Sequence, residues 1–160
     1  MRISDIEALL KKDIPISAEM GVRDFQLDSE GLQFCLPLQP NVNHKGTLFG
    51  GSLYSAGALG CYALFLSGLR EASLHTNNIV ISEGHIQYNF PVEGDAQVIA
   101  HWSSLQDRSQ FFQTLKSKKK ARVQMKAEIW SAGKACALFT GSFVAFLDLG
   151  PVHVPESEEH

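Results

Sequence analysis

The stretch TLFGGSLYSAGALGCYALFLSGL, Thr47 to Leu69, carries no charged side chain. An uncharged run of 23 residues either spans a bilayer or forms a helix buried on every side. Five glycines (Gly50, Gly51, Gly57, Gly60, Gly68) and three serines (Ser52, Ser55, Ser67) dilute its hydrophobicity below that of an ordinary span. Ser52, Ala56 and Gly60 recur every four residues and form a small-residue ridge. Such a ridge lets another element approach closely, in lipid or in a soluble core. The flanking segments decide between the two: they read as strands that have no other core of adequate size, so the run is expected to be a central helix and not a membrane span.

Before it, Ser4 and Glu7 have capping-box spacing, and Ile3, Ile6, Leu9 and Leu10 follow a helical stripe. A short amphipathic helix is expected there, ending before Pro15. Met20–Leu27 is expected as a strand and Asp28-Ser29-Glu30-Gly31 as a hairpin turn. Leu32, Phe34, Leu36 and Leu38 then alternate with Gln33, Cys35 and Pro37 as a half-buried strand. Pro37 cannot donate to a ladder, which points to a sheet edge. After the helix, residues 78–90 are rich in β-branched and aromatic side chains, and Glu93-Gly94-Asp95 turns the chain into Ala96–Trp102. Ala121–Trp130 alternates cleanly, with Val123, Met125, Ala127 and Ile129 on one face. Ala132-Gly133-Lys134 leads into Ala135–Leu147, apolar on both faces. No element is assigned between Trp102 and Ala121. The order is helix, two strands, long helix, four strands. The expected fold is therefore α+β, one domain over residues 1–148 whose curved antiparallel sheet wraps the long helix, followed by a disordered tail over 149–160.

Composition narrows the function. A net charge of −3 gives no basic field for nucleic acid. Three cysteines without C-x-x-C spacing, and six scattered histidines, argue against a disulfide framework or a metal site and for reduced thiols in the cytoplasm. The charged N-terminus lacks a signal-peptide core.

The residues Asn43-x-x-Gly46-Thr47-Leu48-Phe49-Gly50-Gly51-Ser52-Leu53 resemble the entry to the central helix of the hotdog-fold acyl-CoA thioesterases. In their phenylacetate-pathway branch this segment reads N-x-x-G-x-x-H-G-G. Ile86-x-Tyr88-x-x-Pro91-x-x-Gly94-Asp95 is similar to the strand that follows in that family. The likeness is greatest to a bacterial branch whose members are sometimes fused behind an acetyltransferase domain. It implies the hotdog fold, a homodimer or homotetramer with substrate bound between subunits, and hydrolysis of thioesters of coenzyme A or acyl-carrier protein. No cofactor is implied beyond the coenzyme A that the substrate carries, and no membrane or nucleic-acid partner.

Thioester hydrolysis needs donors for the carbonyl oxygen, a group that activates water, and room for the acyl chain. The helix N-terminus offers its leading amides at the positive end of the macrodipole. By resemblance Gly50 is the oxyanion donor, with Gly51 adjacent; the alternative is that both glycines only permit close packing. The carboxylate that relatives carry two turns into the helix is replaced here by Ala58, and the histidine before the glycine pair by Phe49. Asn43 is a candidate to orient water or to cap its own loop, and His44 to act as a base or to face solvent. Glu83 and His85 are two apart on a strand and share one face, with Ile86, Tyr88 and Phe90 on the other. Glu83 is expected to replace the missing carboxylate as general base with His85 as its partner, the alternative being a solvated outer face. Lys116, Lys118, Lys119, Lys120 and Arg122 form the one basic cluster and by resemblance meet the phosphates of coenzyme A, or else form a solvated turn. Two further readings stay open: a hotdog hydratase or dehydratase using His85 and Glu83, and a non-catalytic acyl-CoA-binding or regulatory domain.

Overall fold

The computed structural model describes residues 2–147, so the tail expected over 149–160 lies outside the described residues. The order is α1 (Ile3–Asp13), α2 (Ile16–Glu19), β1 (Arg23–Leu27), β2 (Leu32–Leu36), α3 (Gly50–Glu71), β3 (Ile79–Tyr88), β4 (Ala96–Trp102), α4 (Leu105–Lys118), β5 (Lys120–Ser131) and β6 (Lys134–Phe146). The strands form one antiparallel sheet in the order β1-β2-β4-β5-β6-β3. It wraps α3 as the hotdog fold requires.

The uncharged run is the core. α3 packs against β2, β4, β5 and β6, and Ala63 to Leu69 are all buried, while Tyr54, Ala58 and Tyr62 keep one side partly open. Glycines set how near the sheet comes. A Cβ on Gly57 would lie 2.6 Å from Cβ of Phe139, and one on Gly60 3.2 Å from the ring of Phe34. The ridge read from the sequence is thus a helix–sheet contact. On β5 the alternation holds, with Val123, Met125, Ala127 and Ile129 all buried. Cys61 and Cys136 are buried and Cys35 half-buried, all as free thiols.

Three expectations fail locally. Residues 105–118 form a helix, where no element was expected. Ser104 caps it by accepting from the Asp107 amide at 3.0 Å, and Phe111, Phe112 and Leu115 close the far end of α3. β2 is not an edge strand, because β1 and β4 flank it on both sides. Pro37 lies one residue beyond Leu36, where the missing amide stops the ladder instead of marking an edge. The cap of α1 is two residues earlier than expected: the Arg2 amide donates to Asp5 at 3.2 Å, and Glu7 pairs with Lys11 at 2.8 Å. The edges of the sheet are β1 and β3. On β3 the apolar side chains of Val80, Ile81 and Tyr88 are exposed.

Candidate functional site

α3 begins without help from its N-cap. Phe49 is extended and contributes no side-chain acceptor. The leading amides of the helix, those of Gly50, Gly51 and Ser52, therefore keep the donor capacity that a helix start cannot satisfy internally. Gly51 is exposed and Gly50 half-buried, so the tip is open to solvent. Two rings flank it. A Cβ on Gly51 would sit 2.6 Å from Cε1 of Phe49, and one on Gly50 would sit 3.3 Å from Cζ and Oη of Tyr88. The glycine pair thus admits two aromatic side chains. Phe49 is 57% exposed and covers one side of the tip without sealing it. Tyr88 donates its hydroxyl to the Gly50 carbonyl at 2.8 Å.

The approach to the tip is fixed by backbone bonds. The Leu48 amide donates to the Val92 carbonyl and the Phe49 amide to the Asn41 carbonyl, each at 2.8 Å. Asn41, which sequence reasoning passed over, is buried and donates to the carbonyls of Met20 (2.8 Å) and Pro37 (2.9 Å). Asn43 is committed to its own loop: Oδ1 accepts from the amides of Lys45 (2.9 Å) and Thr47 (3.1 Å), and Nδ2 donates to Thr47 Oγ1 (2.8 Å). Those bonds fill the capping role and leave the side chain poorly placed to orient water. His44 stands exposed on the same loop.

One turn into α3 an open groove of about 380 Å³ runs along the helix, lined by Tyr54, Ala58 and Tyr62, by Ile81 of β3 and by Ile16 of α2. From Tyr54 to Tyr62 it covers about 12 Å at 1.5 Å per residue. Ala58 lies mid-groove, and among the described residues no carboxylate or imidazole lines it. Phe65 has no part in the groove: it is fully buried among Trp102, Phe111 and Phe143.

The structure separates Glu83 and His85 from the tip. In the β3–β6 ladder, Ile86, Gly84 and Tyr88 pair with Phe139, Gly141 and Ala137, while Glu83 and His85 pair with Ser142 and Thr140. The first set faces α3. The second continues across β5 to Gln124 and Lys126, on the outer face of the sheet. A bulge between Ile81 and Glu83 does not change this, because six successive pairs from Glu83 to Tyr88 hold the register beyond it. Glu83 and His85 are therefore corrected from base and partner to outer-face residues with the sheet between them and the helix. The basic cluster also departs from its expected loop. Lys116 and Lys118 sit in the last turn of α4, Lys119 is its left-handed C-cap, and Lys120 and Arg122 open β5. Cations there complement the negative end of the helix dipole. The Lys120 ammonium lies 5.2 Å from the Phe146 ring.

Residues 3–147 match the family model described as "Putative thioesterase (yiiD_Cterm)". The chain belongs to this family. A protein of unknown function from Chlorobaculum tepidum TLS is 29% identical, with a TM-score of 0.83 over 89% of this chain and 93% of that one. A "putative thioesterase" from Shewanella oneidensis is 24% identical, with a TM-score of 0.77 over 91% and 97%. A "probable thioesterase" from Pseudomonas aeruginosa, 19% identical over 91% and 96%, has a TM-score of 0.75. The last two are likenesses of fold.

Within this thioesterase-like family's fold, one feature of the site went unread in the sequence: what Tyr54, Gly84 and Tyr88 do together. A Cβ on Gly84 would collide with the hydroxyl of Tyr54, so the strand glycine exists to admit the helix phenol. A glycine inside a strand was the available signal.

Proposed function

We propose that this chain hydrolyses acyl thioesters of coenzyme A or acyl-carrier protein, acting as a homodimer with its sites between subunits. The observation that carries the reading is the helix tip: uncapped, glycine-led and open to solvent, with an apolar groove of about 380 Å³ beginning one turn further along the same helix at Tyr54. The amides of Gly50 and Gly51 receive the oxyanion, and the groove past Ala58 takes the acyl chain. A single such donor is typically worth about 10²–10³ in kcat. With no carboxylate at position 58, catalysis rests on this electrostatic contribution, and a modest turnover is expected.

The dimer follows from the edge. A long strand with exposed Val80, Ile81 and Tyr88 is a pairing surface that proteins rarely leave bare. Antiparallel pairing of β3 with its own copy about Gly84 sets Glu83 opposite the partner's His85, twice, a carboxylate facing an imidazole across the strands. That gives the two residues an interface role on the outer face. The same pairing supports the phosphate reading of the basic cluster. Within one chain, Lys120 lies nine ladder positions from the Tyr88 end of β3, about 30 Å along the strand. Across the twofold, the partner's β5 start lies three strand spacings from Tyr88, about 15 Å. The partner's Lys118, Lys119, Lys120 and Arg122 are then the cations within reach of a coenzyme A bound at this tip.

The second reading, an acyl-CoA-binding or regulatory domain, is favoured by one observation: among the described residues, nothing lining the groove is a carboxylate or imidazole. The hydratase reading loses its basis with Glu83 and His85 on the outer face. A thiol-release assay over acyl-CoA chain lengths, beside calorimetric titration with the same compounds, separates the two that remain. Release that peaks at medium chain lengths and is lost in Gly51→Val supports hydrolysis. Saturable binding without release supports the binder, and neither binding nor release removes the proposal.

A further inference from the structure

The tip and the edge strand are joined by a reciprocal pair of contacts. Gly50 and Tyr54 are four apart on α3; Gly84 and Tyr88 are four apart on β3. The phenol of Tyr88 reaches from strand to helix and donates to the Gly50 carbonyl at 2.8 Å. The phenol of Tyr54 reaches from helix to strand and rests on Gly84, where any side chain would collide with its hydroxyl. Tyr54 also stands edge-on against Phe139, ring centroids 5.1 Å apart, which fixes its direction. Each glycine is the seat of the other element's tyrosine.

We infer that Tyr88 is a positioning residue for the oxyanion donor, holding the Gly50–Gly51 peptide through its carbonyl so that the Gly51 N–H points out of the helix tip. The peptide is planar and trans, so fixing its carbonyl fixes its N–H on the opposite side. A Gly-Gly peptide at a helix start is the one most prone to rotate, because neither residue restricts its dihedral angles. Only a single backbone amide, four residues on, faces the Gly50 carbonyl from within the helix. The phenol adds a second, lateral donor from a strand anchored in the sheet. It also polarises the amide: a carbonyl that accepts an additional hydrogen bond makes its N–H a stronger donor. Desolvation, and secondarily the neighbouring Tyr54, push the Tyr88 hydroxyl above its ordinary range; a phenol in any case keeps its proton, and its donor role, at neutral pH. The contact further ties the tip to the strand whose edge is proposed to pair with a second copy. Tyr88 acts through the peptide and does not itself touch substrate.

This inference rests on the thioesterase reading for its kinetic consequence but not for its structural one, and the experiment keeps the two apart. Tyr88→Phe removes the hydroxyl and keeps the ring. With octanoyl-CoA, kcat is expected to fall about tenfold, less than loss of a whole oxyanion donor, with KM within twofold. Tyr54→Phe removes the other hydroxyl without touching the Gly50 carbonyl and is the control for the amide measurement; Ser103→Ala, which removes a hydroxyl donating to the distant Gln124 carbonyl at 3.0 Å, is expected to leave kcat within twofold. In ¹⁵N-labelled protein the Gly51 amide is expected to shift upfield and exchange faster in Tyr88→Phe and to stay put in Tyr54→Phe. A wild-type kcat together with an unchanged Gly51 amide in Tyr88→Phe overturns the inference. An inactive wild type whose Gly51 amide still responds to Tyr88→Phe overturns the thioesterase reading and leaves the positioning role standing.

Discussion

Gly57→Ala sets two physical effects against each other. In a helix interior, alanine is better than glycine by about 1 kcal/mol. Propensity alone would therefore raise the melting temperature. The sheet opposes it. The added Cβ would lie 2.6 Å from Cβ and 2.7 Å from Cγ of Phe139, where ordinary contact begins at 3.4 Å. The shortfall is 3.4 − 2.6 = 0.8 Å, and both atoms are anchored next to backbone, so no rotamer change relieves it. Helix and sheet must separate, and overpacking of this kind costs about 1–3 kcal/mol. Taking the upper end, because two contacts fall below 3 Å, the net loss is about 2 kcal/mol after the helical gain. For a domain of this size that lowers Tm by about 4–8 °C. A thermal melt followed by circular dichroism measures it. Gly94→Ala is the control, since nothing stands within 4 Å of its added methyl, and its Tm should not move. Gly60→Ala, at 3.2 Å from the side chain of Phe34, should fall between. A Gly57→Ala protein that melts higher than wild type would show that α3 is not held at this distance by β6, and the account of the core would be wrong.

Replacing Lys118, Lys120 and Arg122 with glutamine should raise KM for acyl-CoA several-fold with kcat within twofold, and should raise it less for an acyl-pantetheine that lacks the phosphates; an unchanged KM removes the cluster from substrate binding. Ala58→Asp should increase kcat by about 10²-fold by restoring a general base beside the groove. Its rate should climb with pH through an elevated carboxylate pKa, because an apolar surrounding disfavours the charged form; a flat pH profile with no gain would show that the groove does not hold the scissile bond. Glu83→Lys should weaken dimerisation in sedimentation equilibrium, and adding His85→Glu should restore it by swapping the pair; failure of the double variant to recover would exclude pairing about Gly84.

Much of the fold was legible because its signals are periodic. The clean alternation of β5 and the uncharged length of α3 each follow from one dominant environment, and both survive in the structure. The failures are places where the local signal has two causes. Pro37 reads as an edge residue because it lacks an amide hydrogen, but a strand that ends at Leu36 satisfies the same constraint from inside the sheet. α4 went unread because its buried residues, Phe111, Phe112 and Leu115, cluster in its second half, so no stripe runs its length. For the site, the residue types were visible and their faces were not. Glu83 and His85 were correctly placed on one face of β3, opposite Tyr88. Which face meets the helix depends on the pairing with β6, a long-range fact that period two cannot supply. Asn43 shows the same limit: its side chain had two available uses, and only the coordinates of Thr47 and Lys45 decide that the loop takes both of its ends.

β3 is the strand that least resembles a core element, and the reason ties the site to the edge. Its inner face carries Ile81, Gly84 and Tyr88, which meet the groove, the Tyr54 hydroxyl and the helix tip in turn. Its outer face carries Glu83 and His85, and its free edge carries unpaired backbone groups. A strand with three duties has no face left for ordinary packing, so most of it is exposed in a single chain. The tip lies at one end of β3 and the basic cluster at the other, too far apart for one molecule of coenzyme A to touch both in the same subunit. The proposed twofold axis through the middle of β3 would bring each tip within about 15 Å of the partner's cluster with no change in either chain. The sequence Glu83-Gly84-His85 is self-complementary about that same point. The proposed dimer would thus account for three separate features, the tip, the distant cations and the outer-face Glu83 and His85, by one symmetry operation.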